Sequence, residues 1–286
     1  YLRDNTQPNW KSLKNGGLGK KAALSTAIQQ TGADIILTTD ADCQVQKNWL
    51  RRMCQPFGNA SIQMVAGPVM SSPVPGLFSK FQQVDWAGIL LLTRFMFSRG
   101  QALICSGANL AYRKSAFVRL QGYSGNETNA SGDDEFLLKK VLQGYGKNAV
   151  VYLHGVEVLV MTKPLERWAE FVGQRVRWAS KWRAHQSFFH GFTAFLSYLL
   201  AFLQIGSLIF LWGNLSTISI LVLFWVIKMG IERKVLGTVL SSFSMNIPLY
   251  SYVITSCLHP LYILLVGPLA IIGKYSWKGR KYNSQA

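Results

Sequence analysis

The stretch Ala33-Asp-Ile-Ile-Leu-Thr-Thr-Asp-Ala-Asp42 decides the fold. Its apolar part, Ile35 to Leu37, predicts a short strand, and two carboxylates, Asp40 and Asp42, follow that strand one residue apart. Open α/β folds bind ligands at the carboxyl ends of their strands. Mg²⁺ is typically held by one or two carboxylates plus substrate phosphates, so a divalent ion carrying a diphosphate suits this pair. The pair also suits a turn that caps a helix beginning near Gln46.

Composition separates the chain into two parts. The 286 residues carry a net charge of +17, yet only 15% are charged and 49% are hydrophobic, which argues against a nucleic-acid partner. Residues 188–286 hold only seven of the 30 Lys and Arg and one of the 13 acidic residues. The first two thirds are therefore typical of a soluble basic domain, and the last third is typical of membrane segments. The four cysteines show no disulfide or metal-ligand spacing, which predicts reduced thiols facing the cytosol.

A glycine turn, Gly16-Gly-Leu-Gly-Lys20, opens a predicted amphipathic helix before the first strand. Free N–H groups and the helix dipole favour phosphate at such a position, although an ordinary surface helix after a glycine turn is an alternative. The turn is not a Walker A motif. The order of helix, strand and paired carboxylates is the one expected of a nucleotide-binding α/β layer.

Apolar runs predict further elements of this layer. Strands are predicted at 62–66, 102–105 and 149–153, and helices at 77–97 and 114–120. Between them, Gly107 and Asn109 suit a pocket wall and Arg113 suits a phosphate contact, but the three residues equally suit a turn and a helix cap. The run Asp133-Asp-Glu135 opens another predicted helix, where it provides either ordinary capping or a general base for an acceptor hydroxyl.

The segment Arg167 to Arg183 is basic and aromatic at helical spacing, which predicts a helix lying at a membrane surface and able to face a pocket above it. Phe188 to Trp212 follows with 25 residues and no formal charge, about 37 Å as a helix and enough to span a bilayer. A second apolar run is Ile218–Ile227, and a third covers 236–273. Basic clusters near 181–183, 233–234 and 274–281 predict cytosolic ends, so the third run would cross twice or form a re-entrant hairpin.

Four landmarks in this order resemble the membrane-bound family 2 glycosyltransferases. They are Gly19-Lys20 before a helix, Asp40-Ala-Asp42 after a strand, Asp133-Asp134 opening a later helix, and Gln174-Arg-Val-Arg177-Trp178 before membrane helices. The resemblance covers about residues 13–286. The closing Trp277-Lys-Gly-Arg280 is also similar to the ending of ceramide glucosyltransferase-like enzymes.

The resemblance implies an α/β fold: a GT-A (Rossmann-like) nucleotide-sugar-binding domain followed by C-terminal transmembrane helices. The implied domains are 1–165 for the GT-A catalytic domain, 166–187 for an amphipathic interface helix with the Q-x-x-R-W motif, and 188–286 for the transmembrane region. Family members begin with a strand and an acidic turn that grip the base. This chain lacks both and does not begin with Met. We therefore expect an N-terminally truncated fragment that binds nucleotide poorly.

The resemblance also implies a role for each matching residue. Asp40 and Asp42 would hold Mg²⁺ or Mn²⁺ with the nucleotide sugar, Lys20 and Arg177 would contact the donor, and Asp134 would be the general base. Asp133, which replaces the commoner Glu, would contact the acceptor together with Gln174 and Trp178.

The expected activity is inverting, metal-dependent transfer of a hexose from a nucleotide sugar, a UDP-sugar, to a hydroxyl of a lipid or glycan acceptor. The expected setting is an integral membrane protein of a bacterial plasma membrane with a cytosolic catalytic domain. A processive polysaccharide synthase is an alternative, although the short, apolar tail favours single transfer. A non-catalytic nucleotide-binding membrane scaffold is an alternative of another class, and it would leave the acidic and basic motifs without a purpose.

Overall fold

The computed structural model describes residues 11–17, 19–102, 104–126, 132–180 and 188–272, with the backbone alone at 274–277 and 280–283. For residues 188–190, too, only the backbone is described. The predicted basic residues at 181, 183 and 278, and two residues of the closing Trp277–Arg280 motif, lie outside the described part.

The first part of the chain combines short strands with helices, and more of its described residues are helical than extended. Its helices are α1 (Gly19–Gln30), α2 (Trp49–Cys54), α3 (Leu77–Ser98), α4 (Lys114–Arg119), α5 (Asp133–Tyr145) and α6 (Trp168–Ala179). Its strands are β1 (Ile35–Thr38), β2 (Cys43–Gln44), β3 (Met64–Ala66), β4 (Val69–Ser71), β5 (Leu110–Arg113), β6 (Val150–Tyr152) and β7 (Val160–Thr162). The chain is therefore mixed α/β, as the sequence predicted.

The strands of this first part of the chain form two small sheets. The larger has the order β1-β5-β3-β6, in which β5 runs antiparallel to both neighbours and β3 and β6 are parallel. The smaller has the order β2-β7-β4, with β4 and β7 parallel. The pleat of β3 divides the core, because Val65 packs in one buried cluster while Met64 and Ala66 pack in the other.

Three long apolar helices follow: α7 (Phe188–Gly206), α8 (Leu215–Ser241) and α9 (Leu249–Ile272). Among the described residues, three spans are long and apolar enough, by length and composition, to cross a membrane, namely Gly191–Trp212, Leu215–Ser241 and Leu249–Ile272. Asn214 caps α8, since its Oδ1 accepts a hydrogen bond of 3.0 Å from the backbone N–H of Thr217. Past α9, the backbones of β8 (Lys274–Trp277) and β9 (Arg280–Asn283) pair as an antiparallel ribbon.

The three long apolar helices pack against the α/β part. Leu240 of α8 and Tyr252 of α9 are buried in the same apolar cluster as Val65 of β3 and Val84 of α3. The aromatic ring of Phe171 on α6 likewise lies 5.3 Å from that of Tyr262 on α9. One of the two buried clusters therefore joins the sheets to the apolar helices, and burial of this apolar area stabilises their contact.

Two predicted elements differ from the structure. Residues 102–105 were predicted as a strand, but the described residues 102, 104 and 105 lie outside the strands, and Leu110–Arg113 pairs with β1 and β3 instead. A short apolar run cannot by itself distinguish a strand from a buried irregular segment. The double crossing or hairpin predicted for 236–273 also differs from the structure, because residues 236–241 end α8 and Leu249–Ile272 forms one helix, α9. Pro260 and Pro268 lie inside that helix without ending it.

Candidate active site

A cavity of about 2120 Å³ lies where α1, the β1–β2 loop, the start of α5, and α6 meet the apolar helices. All eight site residues predicted from sequence line it: Lys20, Asp40, Asp42, Asp133, Asp134, Gln174, Arg177 and Trp178. These residues come from four separate stretches of chain. The fold therefore brings the four predicted motifs to one place.

Lys20 and Asp40 form an ion pair in this cavity. Lys20 Nζ donates to Asp40 Oδ1 at 2.6 Å, and both side chains are partly exposed. Burial alone would lower the pKa of Lys20, but the hydrogen bond and charge of Asp40, with the more distant charges of Asp133 and Asp134, raise the pKa above its usual 10.5. Lys20 is therefore a permanent cation beside the D-x-D stretch.

Asp134 is held by backbone N–H groups at the beginning of α5. Its Oδ2 accepts from the N–H of Gly107 at 2.8 Å, and its Oδ1 accepts from the N–H of Glu135 at 2.9 Å. A Cβ added to Gly107 would lie 3.5 Å from both Asp134 Oδ2 and Lys20 Nζ, so the carboxylate and the ammonium flank this glycine. Gly132, in the left-handed conformation with φ of 87°, provides the turn that starts the helix. The result is a carboxylate oriented into the cavity beside a cation.

Asp133 is more buried than its neighbour, at 8% exposure. It lies near two buried tyrosines, Tyr112 and Tyr123, and Tyr123 also lines the cavity. Burial raises the pKa of Tyr112 to about 12, and it raises the pKa of Tyr123 further. Both phenols therefore stay protonated at neutral pH, and the two side chains interact with each other beside Asp133.

Helix α6 supplies the other side of the cavity with Gln174, Arg177 and Trp178. The Gln174 side-chain oxygen accepts a short hydrogen bond from Arg175. The Trp178 ring packs edge-on against that of Trp86, with centroids 5.3 Å apart. Contacts to neighbours on α6 and α3 therefore position Gln174 and Trp178.

A buried ion pair that the sequence patterns did not predict ties α6 to α3. Arg175 donates to Asp85 Oδ2 from Nε at 3.0 Å and from Nη2 at 2.5 Å, and both side chains are almost completely buried. The guanidinium also lies over the rings of Phe171 and Trp178, at 4.4 and 4.3 Å. Burial alone would raise the pKa of Asp85, but the charge of Arg175 and the contact with His259 lower it. The only signal in the sequence was a single acid, Asp85, within the apolar helix α3.

The sequence was compatible with either a pocket role or a structural role for Asn109 and Arg113, and both residues have a structural role. Asn109 is fully buried, and its side chain donates to two backbone carbonyls at 2.7 Å and accepts from Trp49 Nε1 at 2.9 Å. Arg113 donates to backbone carbonyls of the segment 57–62. These hydrogen bonds engage both side chains in holding neighbouring segments of the fold together. Gly107, by contrast, does form part of the cavity wall.

The carboxylates suit a divalent ion only when a ligand completes the site. Asp40 and Asp42 both line the cavity, the first half-buried and the second exposed. Within the described ranges, no three His, Cys, Asp or Glu side chains are grouped to hold a metal ion. Mg²⁺ needs only one or two carboxylates when substrate phosphates supply other oxygens, so this donor set fits a metal that arrives with a diphosphate.

Comparison with known families assigns the chain to a family. A sequence model described as Glycosyl transferase family 21 matches residues 11–284. No curated protein matches the chain significantly. The resemblance to family 2 therefore predicted the class of enzyme, glycosyltransferase, while the family is a different one. The chain belongs to glycosyl transferase family 21.

Proposed function

We propose that this glycosyltransferase moves one sugar from a nucleotide-sugar donor to a hydroxyl of a lipid-borne acceptor, with inversion at the anomeric carbon. The observation that carries this proposal is the meeting of Lys20, Asp40 and Asp134 with the Gln174–Trp178 motif around one cavity that apolar helices close on one side. We also assign the α/β part to the GT-A fold, for which the alternation of helices and strands and the position of Asp40 and Asp42 after β1 are the support.

The donor would bind at the Lys20 end of the cavity. The raised pKa of Lys20 keeps a cation there at any physiological pH, and an ammonium is a suitable partner for phosphate oxygens. Asp40 and Asp42 would hold a Mg²⁺ or Mn²⁺ ion that binds with the diphosphate. When bound, that ion supplies charge stabilisation for the diphosphate leaving group. A uridine diphosphate sugar is the donor we propose.

Asp134 is the proposed general base. The acceptor hydroxyl gives its proton to Asp134 while its oxygen forms a bond to the anomeric carbon, and the bond from that carbon to the diphosphate oxygen breaks. One displacement on the face opposite the leaving group inverts the configuration. The N–H groups of Gly107 and Glu135 hold the carboxylate in one orientation for this transfer. Glycosidases need a second carboxylate as general acid, whereas a nucleoside diphosphate leaves without protonation.

Arg177 and the acceptor-side residues complete the proposed site. Arg177 would stabilise the negative charge that develops on the diphosphate, which is the larger electrostatic task. Trp178 and Gln174 would contact the acceptor from α6, and Asp133 would do so from the start of α5. Their positions on the lining of one cavity support these roles.

The apolar side of the cavity supports a lipid acceptor. Ile89 and Leu92 of α3 line it, as do Ile263 and Val266 of α9 and Ser197 of α7. Because α7 and α9 are long and apolar enough to cross a bilayer, a lipid could enter this side with its chains in the membrane. Arg233 and Lys234 are exposed near the end of α8, and positive residues favour the cytosolic side. We therefore place the cavity at the cytosolic face, of a bacterial plasma membrane.

The experiment follows nucleoside diphosphate release and the fate of labelled sugar in membranes that contain the protein. The conditions are a panel of nucleotide sugars, total lipid extract, and Mg²⁺ or Mn²⁺ against EDTA. The proposal expects metal-dependent release with the label in a small lipid. Label in a long polymer would contradict single transfer, and the absence of release with every donor would contradict the proposed reaction.

A further inference from the structure

Stability alone does not explain the buried pair of Asp85 and Arg175. The two side chains are almost completely buried, at 6% and 5% exposure. Taking two charges out of water costs free energy that their attraction often only offsets, and apolar residues of similar volume often replace such a pair without loss of stability. The other contacts of the guanidinium therefore indicate what else this pair does.

The guanidinium of Arg175 contacts two residues that line the cavity. Its Nη1 group donates to the side-chain oxygen of Gln174, while Nε and Nη2 donate to Asp85 Oδ2. Its Cζ atom lies 4.3 Å from the centre of the Trp178 ring and 4.4 Å from the centre of the Phe171 ring. Hydrogen bonds and aromatic rings therefore engage the same planar group.

Asp85 anchors this guanidinium to a second helix. Asp85 belongs to α3, whereas Arg175 and both of its cavity-lining neighbours, Gln174 and Trp178, belong to α6. The ring of Trp86, next to Asp85 on α3, lies 5.3 Å from Arg175 Cζ and also packs against the Trp178 ring. The guanidinium is therefore held in place relative to α3.

The side chains that the guanidinium contacts are restricted in turn. The long side chain of Gln174 adopts several rotamers when nothing binds it, and its hydrogen bond with Arg175 selects among them. The Trp178 ring lies between the guanidinium and Trp86, which restricts its rotation. A change at Arg175 therefore alters the orientation of both cavity residues.

We propose that Arg175, anchored by Asp85, is a positioning residue for sugar transfer that holds Gln174 and Trp178 in the orientation the reaction uses. The inference rests on the proposed function, which assigns those two side chains to the acceptor. It goes beyond that function because Asp85 and Arg175 act through their neighbours. Misplacement by about 1 Å can lower a rate about 10²-fold, so the pair matters for transfer even where an apolar pair would stabilise the fold equally well.

The experiment separates transfer from stability in purified full-length protein in detergent micelles. The test variant combines Asp85→Leu with Arg175→Met, which removes both charges and leaves neither one buried without its partner. We expect thermal unfolding to show that this variant is folded, while its transfer rate at saturating donor falls about 10- to 100-fold and its donor affinity changes by less than about twofold. A pair that served only the fold would leave the transfer rate unchanged.

Two further variants make the test specific. Arg175→Lys keeps a positive charge beside Asp85 but lacks the planar fork, so it should be folded and still transfer sugar slowly. It also serves if the double variant does not fold. The control combines Arg52→Met with Glu157→Leu, which removes an exposed ion pair outside the cavity and should leave transfer unchanged.

A double-mutant cycle tests whether Arg175 acts through Gln174. Gln174→Met and Arg175→Lys are measured singly and together. Residues that act on the same step through one contact show non-additive effects, so the combined variant should lose less than the product of the two single losses. A combined loss equal to that product would contradict action through Gln174.

A second measurement reports the position of Trp178 without any reaction. The protein is prepared with fluorinated tryptophan, and Trp178→Phe identifies the fluorine resonance of Trp178. We expect this resonance to shift or broaden in Arg175→Lys and in the variant that lacks both charges, and to stay unchanged in the control.

The outcomes separate this inference from the proposed function. Transfer at the unaltered rate in the folded variant that lacks both charges overturns the inference, as does a Trp178 resonance that is unchanged in that variant and in Arg175→Lys. The absence of transfer in the unaltered protein contradicts the proposed function instead. The fluorine resonance then decides whether Arg175 positions Trp178.

Discussion

Lys20 Nζ lies 2.6 Å from Asp40 Oδ1, so the lysine after the glycine turn and the first carboxylate of the D-x-D stretch form one ion pair in the cavity. Both side chains are partly exposed, and ion pairs of this kind contribute little to stability. The pair therefore adds little to the stability of the fold, and the proposed function assigns both of its members to ligand binding. A diphosphate and its metal would compete for both partners, with the cation taking Asp40 and the phosphates taking Lys20.

Replacing Lys20 with Met should weaken donor binding about tenfold or more, because a charge-assisted hydrogen bond to phosphate is lost. The folded-state pKa of Lys20 is raised, so its charge is complete below the usual value of 10.5 and is lost only as pH rises through the higher value. Donor affinity of the unaltered protein should thus show no loss from Lys20 deprotonation between neutral pH and pH 10.5. Isothermal titration with nucleoside diphosphate measures both effects. Lys47→Met, at an exposed position outside the cavity, is the matched control, and equal affinity in the two variants would argue against the donor role.

Asp42→Ala should abolish most metal-dependent transfer, since it removes one of two carboxylates proposed to hold the ion. We expect at least a tenfold higher Mn²⁺ concentration for half-maximal activity, consistent with the loss of a metal contact. Asp34→Ala removes an exposed carboxylate near the same strand and should behave as the unaltered protein. Full activity in EDTA, or equal Mn²⁺ dependence in both variants, would refute the metal assignment.

Arg175→Met should destabilise the protein by about 3–5 kcal/mol, because it leaves the Asp85 carboxylate buried without its partner. The double variant Asp85→Leu with Arg175→Met should recover much of this loss, since no uncompensated charge remains. Thermal unfolding in detergent, followed by tryptophan fluorescence, measures the difference. Arg52 pairs with Glu157 at the same distance of 2.5 Å but in an exposed setting, so Arg52→Met should cost less than about 1 kcal/mol. Similar losses in Arg175→Met and Arg52→Met would contradict the role of burial.

Local patterns predicted the elements whose signals lie within one stretch of chain. The strand before Asp40, the helix α3 and the acidic start of α5 were all predicted close to their observed bounds. The segment 102–105 was not, because an apolar run carries the same signal whether it pairs in a sheet or is buried as irregular chain. The two sheets and their mixed strand directions depend on contacts between distant segments, which no local period encodes.

The residues of the candidate site likewise divide into those that local patterns predicted and those that they did not. The sequence motifs identified Lys20, Asp134 and Trp178, because each of these residues belongs to a pattern within one short stretch of chain. The structure places all three around one cavity. The pair of Asp85 with Arg175 joins residues 90 positions apart, and neither position has a periodic or spaced partner that would predict it. The contact of His259 with Asp85 was not predicted for a related reason. A single histidine in an apolar run does not indicate which side of α9 faces the cavity.

The central claim is that Asp134 removes the proton from the acceptor hydroxyl, and one measurement tests it most directly. Transfer of labelled sugar to lipid and binding of the donor are measured together for Asp134→Asn, with Glu166→Gln as an exposed control. The account predicts that Asp134→Asn lowers transfer by about 10²- to 10⁴-fold, as expected for loss of a general base, while donor affinity changes by less than about twofold. A folded Asp134→Asn protein that transfers sugar at the rate of the unaltered enzyme would contradict it.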